Sequence, residues 1–332
     1  SVFVLSAVGT GIARRYALRS GMVDVPNQRS SHRIPTARGG GIAIAVIFLS
    51  AVILLASVGL LASNTAWALA GGGLLVAWTG WRDDRNPMSI KWRLIAHFLA
   101  ALWALFWLDG MFSLQWGGGN MAWGYAGTAL TLVGMVWLTN LYNFMDGIDG
   151  LAAAQAVCTA SGGGLLLWLS GAYGLSLVSF ALAAASAGFL IWNWPPARIF
   201  MGDVGSGLLG FSFAVLAIAS EKSHALPALG WLLLLAIFVA DATFTLIRRI
   251  IHKKAWLQAH RTHAYQCAVQ LGASHRQVTL GIVLLNIVIL YPLAWLVWGR
   301  PAWLLWVCLA VGALALLAWS AIQYRYNRTA KD

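Results

Sequence analysis

From end to end the chain alternates apolar runs with short polar stretches. A helix that crosses a bilayer needs about 20 mostly apolar residues. By that measure the pattern predicts eleven spans, at 1–13, 40–62, 66–81, 92–109, 124–145, 151–169, 174–192, 205–220, 226–247, 277–298 and 301–322, several of them short. The expected fold is all-α, a polytopic integral membrane protein with one domain over residues 1–332. Ser1 lies inside an apolar run with neither an initiator Met nor a cleavage pattern, which predicts a longer natural N-terminus rather than a trimmed signal peptide.

Composition agrees: 60% of residues are hydrophobic, 10% are charged, and mean hydropathy is +0.75, more apolar surface than a soluble core hides. The net charge of +12 would suit nucleic acid, but its placement argues otherwise. If alternate loops are assigned to one side, all of the 22 Lys and Arg residues except Lys222 and Arg300 fall on it. That asymmetry makes the side cytoplasmic, with the N-terminus outside and the C-terminus inside. Cys158, Cys267 and Cys308 have neither metal-ligand nor paired spacing and read as unbridged.

Residues 139–151, Thr-Asn-Leu-Tyr-Asn-Phe-Met-Asp-Gly-Ile-Asp-Gly-Leu, place two carboxamides and two carboxylates between two membrane-length runs. Polar groups there must sit at a membrane edge or line a polar cavity. The i, i+3 spacing puts Asn140, Asn143 and Asp146 on one side of a helix, and Gly147 and Gly150 predict its end. The blander alternative makes the asparagines interhelical hydrogen-bonding groups and Asp149 an N-cap.

Other polar loops on the same side carry related chemistry. The first ends in Pro35-Thr36-Ala37-Arg38-Gly39-Gly40-Gly41, where backbone N–H groups with Arg29, His32, Arg33 and Arg38 suit an anion, or merely set topology. The second pairs Asp83 and Asp84 with Arg82, Arg85, Lys91 and Arg93, either as solvated ion pairs or as a site for a metal or phosphate. Around Phe200-Met201-Gly202-Asp203 three glycines flank one acid, a cation ligand or an N-cap. His260-Arg261-Thr262-His263 suits phosphate better than zinc, since no further ligands complete a zinc set, and equally suits a solvated face. Asp241 lies within a span, as a functional group or as a hydrogen-bonding partner of another helix. Asp83, Asp84, Asp146, Asp149 and Asp203 are five of the ten acids, and all fall at helix ends of one side. Carboxylates among basic and Gly-rich neighbours suit Mg²⁺-dependent chemistry on phosphates, here between a lipid phosphate and a soluble nucleotide. A transporter or lipid flippase is the alternative, but those place charges near the midplane.

These motifs together resemble the polyprenyl-phosphate N-acetylhexosamine-1-phosphate transferase superfamily, a relationship also shared with the phospho-MurNAc-pentapeptide transferases. The resemblance runs through Pro35–Gly40, Asp83-Asp84 with Lys91, Asn140-x-x-Asn143-x-x-Asp146-Gly147-x-Asp149-Gly150-Leu151, Phe200–Ser206 and His260-x-x-His263. It implies ten or eleven helices in a bacterial inner membrane around a cytoplasmic-facing Mg²⁺ site, where Mn²⁺ is an alternative. The implied reaction moves a sugar-1-phosphate from a UDP-N-acetylhexosamine to undecaprenyl phosphate and releases UMP, starting a glycan such as O-antigen. No nucleic acid is involved, and a homodimer is allowed.

Carried over by position, Asp203 would ligate the metal with Asn143. Asp83 and Asp84 would orient or deprotonate the lipid phosphate, with Asp146 and His260 also catalytic, while Lys91 would contact phosphate. Gly147, Ile148, Asp149 and Phe200 would hold the uridine end, Arg38 would join the substrate site, and His260, Arg261 and His263 would meet the pyrophosphate or sugar. The peptidoglycan branch carries adjacent histidines in the last loop, so His260-Arg261-Thr262-His263-Ala264 argues against a MurNAc-pentapeptide donor. It looks more like an O-antigen initiator using N-acetylfucosamine, N-acetylquinovosamine or N-acetylglucosamine.

Overall fold

The computed structural model describes residues 1–26, 34–110, 113–116, 119–122, 124–253 and 260–329. The apolar runs all fold as helices: α1 (Val2–Arg19), α2 (Gly41–Ser57), α3 (Ser63–Arg85), α4 (Ile90–Trp107), α5 (Gly124–Phe144), α6 (Leu151–Leu169), α7 (Tyr173–Asn193), α8 (Asp203–Lys222), α9 (Ala228–Leu234), α10 (Ala236–Ile251), α11 (Ala264–Gln270), α12 (His275–Leu285), α13 (Tyr291–Trp298) and α14 (Leu304–Thr329). A π-helical turn, Asn286–Leu290, joins α12 to α13. Among the described residues, strands are confined to two antiparallel pairs, β1 (Val23–Asp24) with β2 (Thr36–Ala37) and β3 (Ser113–Trp116) with β4 (Gly119–Ala122).

Every predicted span therefore coincides with helix. By length and composition, α4, α6, α7, α8, α14 and the continuous run from α12 through α13 qualify as membrane spans among the described residues, and a seventh does if α9 and α10 are one bent span. The predicted span 226–247 is not one straight helix, because α9 and α10 meet at 84° around Leu235. Buried side chains meet the hydrogen-bonding cost of this break. Gln155 Nε2 donates to the Leu234 carbonyl at 3.0 Å, and Asn286 Nδ2 donates to Gln155 Oε1 at 2.8 Å. In an apolar medium an unpaired carbonyl costs several kcal/mol, so a break without Pro or Gly needs such partners.

The central helix is α8, 94% buried over its membrane-length window and packed against α2, α3, α5, α7 and α9. Small residues let its neighbours approach. A Cβ on Gly41 or Gly80 would overlap the backbone at Gly205 or Asp203, so both positions admit only glycine without a shift of one helix. Gly163 on α6 similarly admits the Trp231 ring. The same window of α14 has no buried residue, the signature of a helix facing its surroundings. The fold thus holds the first turn of α8 fixed, with the ends of α3 and α5 beside it.

Candidate active site

Two loops are stitched together before α8 begins. Phe200 N donates to Ala37 O at 2.8 Å, Gly40 N to Phe200 O at 2.9 Å and Gly41 N to Met201 O at 2.8 Å. This ladder carries Arg38 to the start of α8. Gly202, with φ of 75°, adopts the left-handed region, and a Cβ there would strike the Asp84 carboxylate.

That carboxylate closes the helix. Asp84, on the last turn of α3, accepts from Asp203 N at 3.1 Å and Val204 N at 3.4 Å, taking two of the N–H groups that a helix start leaves unbonded. Its side chain is 0% exposed and is also paired with Arg38 Nε at 2.8 Å. Asp203 consequently does not cap its own helix. Its carboxylate faces outward to Arg38 Nη2 at 3.0 Å and Arg93 Nη1 at 3.4 Å. Arg93 also reaches Asp83 Oδ2 at 2.8 Å, and Asp83 Oδ1 accepts from Met88 N at 2.5 Å. Burial by itself lowers the Arg38 pKa, but Asp84 and Asp203 outweigh it and hold the guanidinium above its ordinary value.

Asp146 differs from these acids. It follows α5, is half-buried, and has no hydrogen-bond or ion-pair partner for its carboxylate among the described residues. Burial, then the charge of Asp203, push its pKa well above the ordinary carboxylate value. Asn143, one turn earlier, is likewise half-buried with no side-chain partner among the described residues, while Asn140 Nδ2 donates back to Val136 O at 2.7 Å. Lys91 is exposed on the first turn of α4 and makes no ion pair among the described residues.

The end of α5 also anchors the histidine loop. Tyr265 Oη donates to Phe144 O at 3.0 Å and fills the space that a side chain at Gly147 would need. The His260 and His263 rings stack with centroids 4.9 Å apart, and His263 lies 6.5 Å from the Phe144 ring. Burial, then the charges of His263 and Arg249, lower the His260 pKa to about 3, so the ring is neutral at physiological pH. Gln270 Nε2 holds the Arg261 carbonyl at 2.9 Å. Asp241 fixes this loop from below: its carboxylate accepts from Ala264 N at 2.7 Å, Tyr265 N at 3.1 Å and Thr245 Oγ1 at 3.1 Å, with His263 Nδ1 at 3.6 Å. Between the two readings of Asp241, these bonds make it a hydrogen-bonding partner of another segment.

Asp149 is not the N-cap of α6, a place taken by Gly150. Its Oδ2 accepts from Ala197 N at 3.1 Å and lies 3.3 Å from His275 Nδ1, tying three loops together beside buried Ile148. Phe200 contributes through its backbone, as above. The structure therefore gathers Asp84 and Asp203 on Arg38, and Asp203 and Asp83 on Arg93, with Asp146 near enough to feel their charge. Asp149 joins Ala197 and His275, while the histidine loop rests on Phe144 at the end of α5. Arg29, His32 and Arg33 fall outside the described residues.

Sequence reasoning named Arg93 only as one of four cations beside Asp83 and Asp84; the structure makes it the bridge between Asp83 and Asp203. That reasoning missed Asn193, which donates to Ile199 O at 2.9 Å and accepts from Gly150 N at 2.9 Å, joining the two site loops. His275, lying far along the chain, carried no signal.

Chemically, the cluster is a set of hard oxygen donors beside two guanidiniums. Among the described residues no three His, Cys, Asp or Glu side chains form a ready-made chelate. Mg²⁺ needs none, since it takes one or two carboxylates and fills its other positions with water and substrate phosphate. The unpartnered carboxylate of Asp146 and the outward-facing one of Asp203 suit such an ion. A polar cavity of ≈ 550 Å³ opens on the far side of the Arg38–Asp84 pair, lined by residues 20–23, Arg38, Asp84, Arg85 and Asn86 and not by Asp146 or Asp203.

Comparison with known proteins bears on this geometry. The model of "Glycosyl transferase family 4" matches residues 66–221, from α3 through α8. The chain is 30% identical to a probable undecaprenyl-phosphate N-acetylglucosaminyl 1-phosphate transferase of Bacillus subtilis, over 84% of this chain and 78% of the relative. It is 28% identical to the undecaprenyl-phosphate alpha-N-acetylglucosaminyl 1-phosphate transferase of Escherichia coli K12, over 86% and 79%. A decaprenyl-phosphate N-acetylglucosaminephosphotransferase of Mycolicibacterium smegmatis is 30% identical over 85% and 77%. With likeness running through the helices that build the aspartate cluster, the chain belongs to glycosyl transferase family 4, among the polyprenyl-phosphate N-acetylhexosamine-1-phosphate transferases.

Proposed function

We propose that the protein transfers an N-acetylhexosamine-1-phosphate from a UDP-sugar to undecaprenyl phosphate and releases UMP. The supporting observation is the gathering of Asp83, Asp84 and Asp203 with Arg38 and Arg93 at the start of α8, beside an unpartnered Asp146. N-acetylglucosamine is the first donor to test, because the relatives' names carry it. The product would begin a lipid-linked glycan such as O-antigen. The site would face the cytoplasm from a bacterial inner membrane, with the N-terminus periplasmic and the C-terminus cytoplasmic, as the basic loops indicate.

A lipid phosphate oxygen attacks the β-phosphorus of the UDP-sugar. A new phosphorus–oxygen bond forms as the bond from that phosphorus to the bridging oxygen breaks, and the electron pair leaves with UMP. Arg38 and Arg93 now neutralise the carboxylates and would turn toward phosphoryl oxygens on substrate entry. Asp83, 10% exposed, can orient the lipid phosphate or take its proton. Asp84, with no exposed side-chain surface, holds Arg38 and α8 in place instead. Asp203, Asp146 and Asn143 would hold Mg²⁺ or Mn²⁺, which when bound supplies charge neutralisation to the pyrophosphate. Gly147, Ile148, Asp149 and Phe200 frame the uridine end. The neutral His260 with Arg261, His263 and Lys91 serves the donor's phosphates or sugar.

Mass analysis of the lipid product tests the proposal. A diphosphate-linked N-acetylhexosamine from purified, detergent-solubilised protein is expected. A monophosphate-linked sugar would replace it with plain glycosyl transfer, and no product from any UDP-N-acetylhexosamine would favour the transport reading.

A further inference from the structure

A second cationic pocket lies behind the histidine loop, at the end of α10. Its volume is ≈ 220 Å³, and Arg248, Arg249, His252, Thr262, Gln323 and Asn327 contribute to its walls. Its position sets it apart from the aspartate cluster. Thr262 faces it from between the two histidines, whereas His263 and Tyr265 on the same loop contact Phe144 at the other side.

The charge of Arg248 in this pocket meets no carboxylate among the described residues. Arg248 donates to the neutral amide oxygens of Gln323 and, at 3.4 Å, Asn327, and lies 5.8 Å from the Trp319 ring. No acid lines the cavity. The nearest on the same helix, Asp241, is occupied by Thr245, Ala264 and Tyr265. Amide oxygens fix a guanidinium's direction without removing its charge, which leaves an oriented cation for an anionic oxygen.

The surroundings identify the source of that anion. The same end of α10 exposes Ile247, Ile250 and Ile251, the last at 70%, and α14 exposes Tyr324 beside the pocket wall. Apolar side chains exposed next to a cationic recess form the junction between bilayer and headgroup layer, where basic pockets between helices take anionic headgroups. We infer that this pocket binds the phosphate headgroup of an anionic phospholipid, in the leaflet on the side of the aspartate cluster. Through Thr262 the bound headgroup contacts the loop that carries His260 and His263. The inference is independent of the proposed reaction, since it is read by binding alone.

Native mass spectrometry of the intact protein taken from phosphatidylcholine bilayers, with and without phosphatidylglycerol, provides the test. The wild type is expected to retain one phosphatidylglycerol, and the double variant Arg248→Gln/Arg249→Gln to retain it about thirtyfold less well, as two cations near a membrane surface imply. Asn327→Glu, which keeps both arginines and adds a charge opposite the headgroup, is expected to show the same loss. It carries the test if the double variant does not fold. Equal retention by the folded variants would overturn the inference. So would displacement of the lipid by inorganic phosphate, which would make the site one for a soluble anion, or by one equivalent of undecaprenyl phosphate, which would make it the acceptor's own seat.

Discussion

Three of the described helices begin on a carboxylate borrowed from another helix: α9 on Glu221 of α8 and, closer to the candidate site, α8 and α11. Asp84 of α3 accepts from the first N–H groups of α8, and Asp241 of α10 accepts from those of α11. In sequence the two aspartates look alike, each an acid at or in an apolar run. Their surroundings separate them. Asp241 is satisfied by two N–H groups and one hydroxyl, a closed arrangement that only positions the histidine loop. Asp84 shares Arg38 with Asp203, which shares Arg93 with Asp83, while Asp146 waits nearby without a partner. A cap whose donors are all neutral is scaffold, whereas a cap embedded in exchangeable charge can trade its counter-ions for a cation and phosphates.

The sharpest way to break this contrast is to remove one charge from the open cluster without changing shape. Asp203→Asn is expected to lower kcat by about 10²–10³-fold, the scale of one electrostatic contact to a reacting phosphate, with little change in melting temperature. Activity near wild type would detach Asp203 from the chemistry.

Next comes truncation of each cap. Asp84→Ala leaves two helix N–H groups without an acceptor and removes one of the two carboxylates that hold the partly exposed Arg38, which should cost about 2–4 kcal/mol. Asp241→Ala strands two N–H groups and a hydroxyl but no paired arginine, and about 1–3 kcal/mol is expected. Thermal unfolding in detergent ranks the two, and a larger loss at Asp241 would reverse the comparison. If Asp241 only positions the loop, Asp241→Asn should recover part of the kcat lost in the alanine variant.

The smallest effect is a pH dependence at His260. Its folded pKa of about 3 lies below the ordinary 6.5, so the neutral ring contributes stability that is complete above pH 6.5 and declines as pH falls toward 3. His260→Gln should flatten that decline when melting temperature is followed across the window. An unchanged slope would mean that the ring is not held neutral.

Much of this was legible in the sequence, because the bilayer imposes a length and a periodicity that residues at 124–145 or 151–169 can hardly disguise. The cluster was legible too: acids are so costly beside a membrane that Asp83, Asp84, Asp146 and Asp203 announce a shared purpose. What stayed hidden depended on contacts between distant segments. Nothing in the leucine-rich run at 231–235 marks the break at Leu235, where the freed Leu234 carbonyl is matched by Gln155, some eighty residues earlier, within a network that includes Asn286. Arg93 became a bridge only once the start of α4, packed on α3, brought it to the first residue of α8, and the exposed Lys91 was the more conspicuous cation. Asp203 invited an N-cap reading that the arrival of Asp84 from α3 displaced.

The most direct test of the central claim is to identify the nucleotide released when purified protein receives undecaprenyl phosphate, Mg²⁺ and UDP-N-acetylglucosamine, with UMP and UDP resolved. The account predicts UMP, one for each lipid consumed. Release of UDP, with the sugar moved alone, would contradict it.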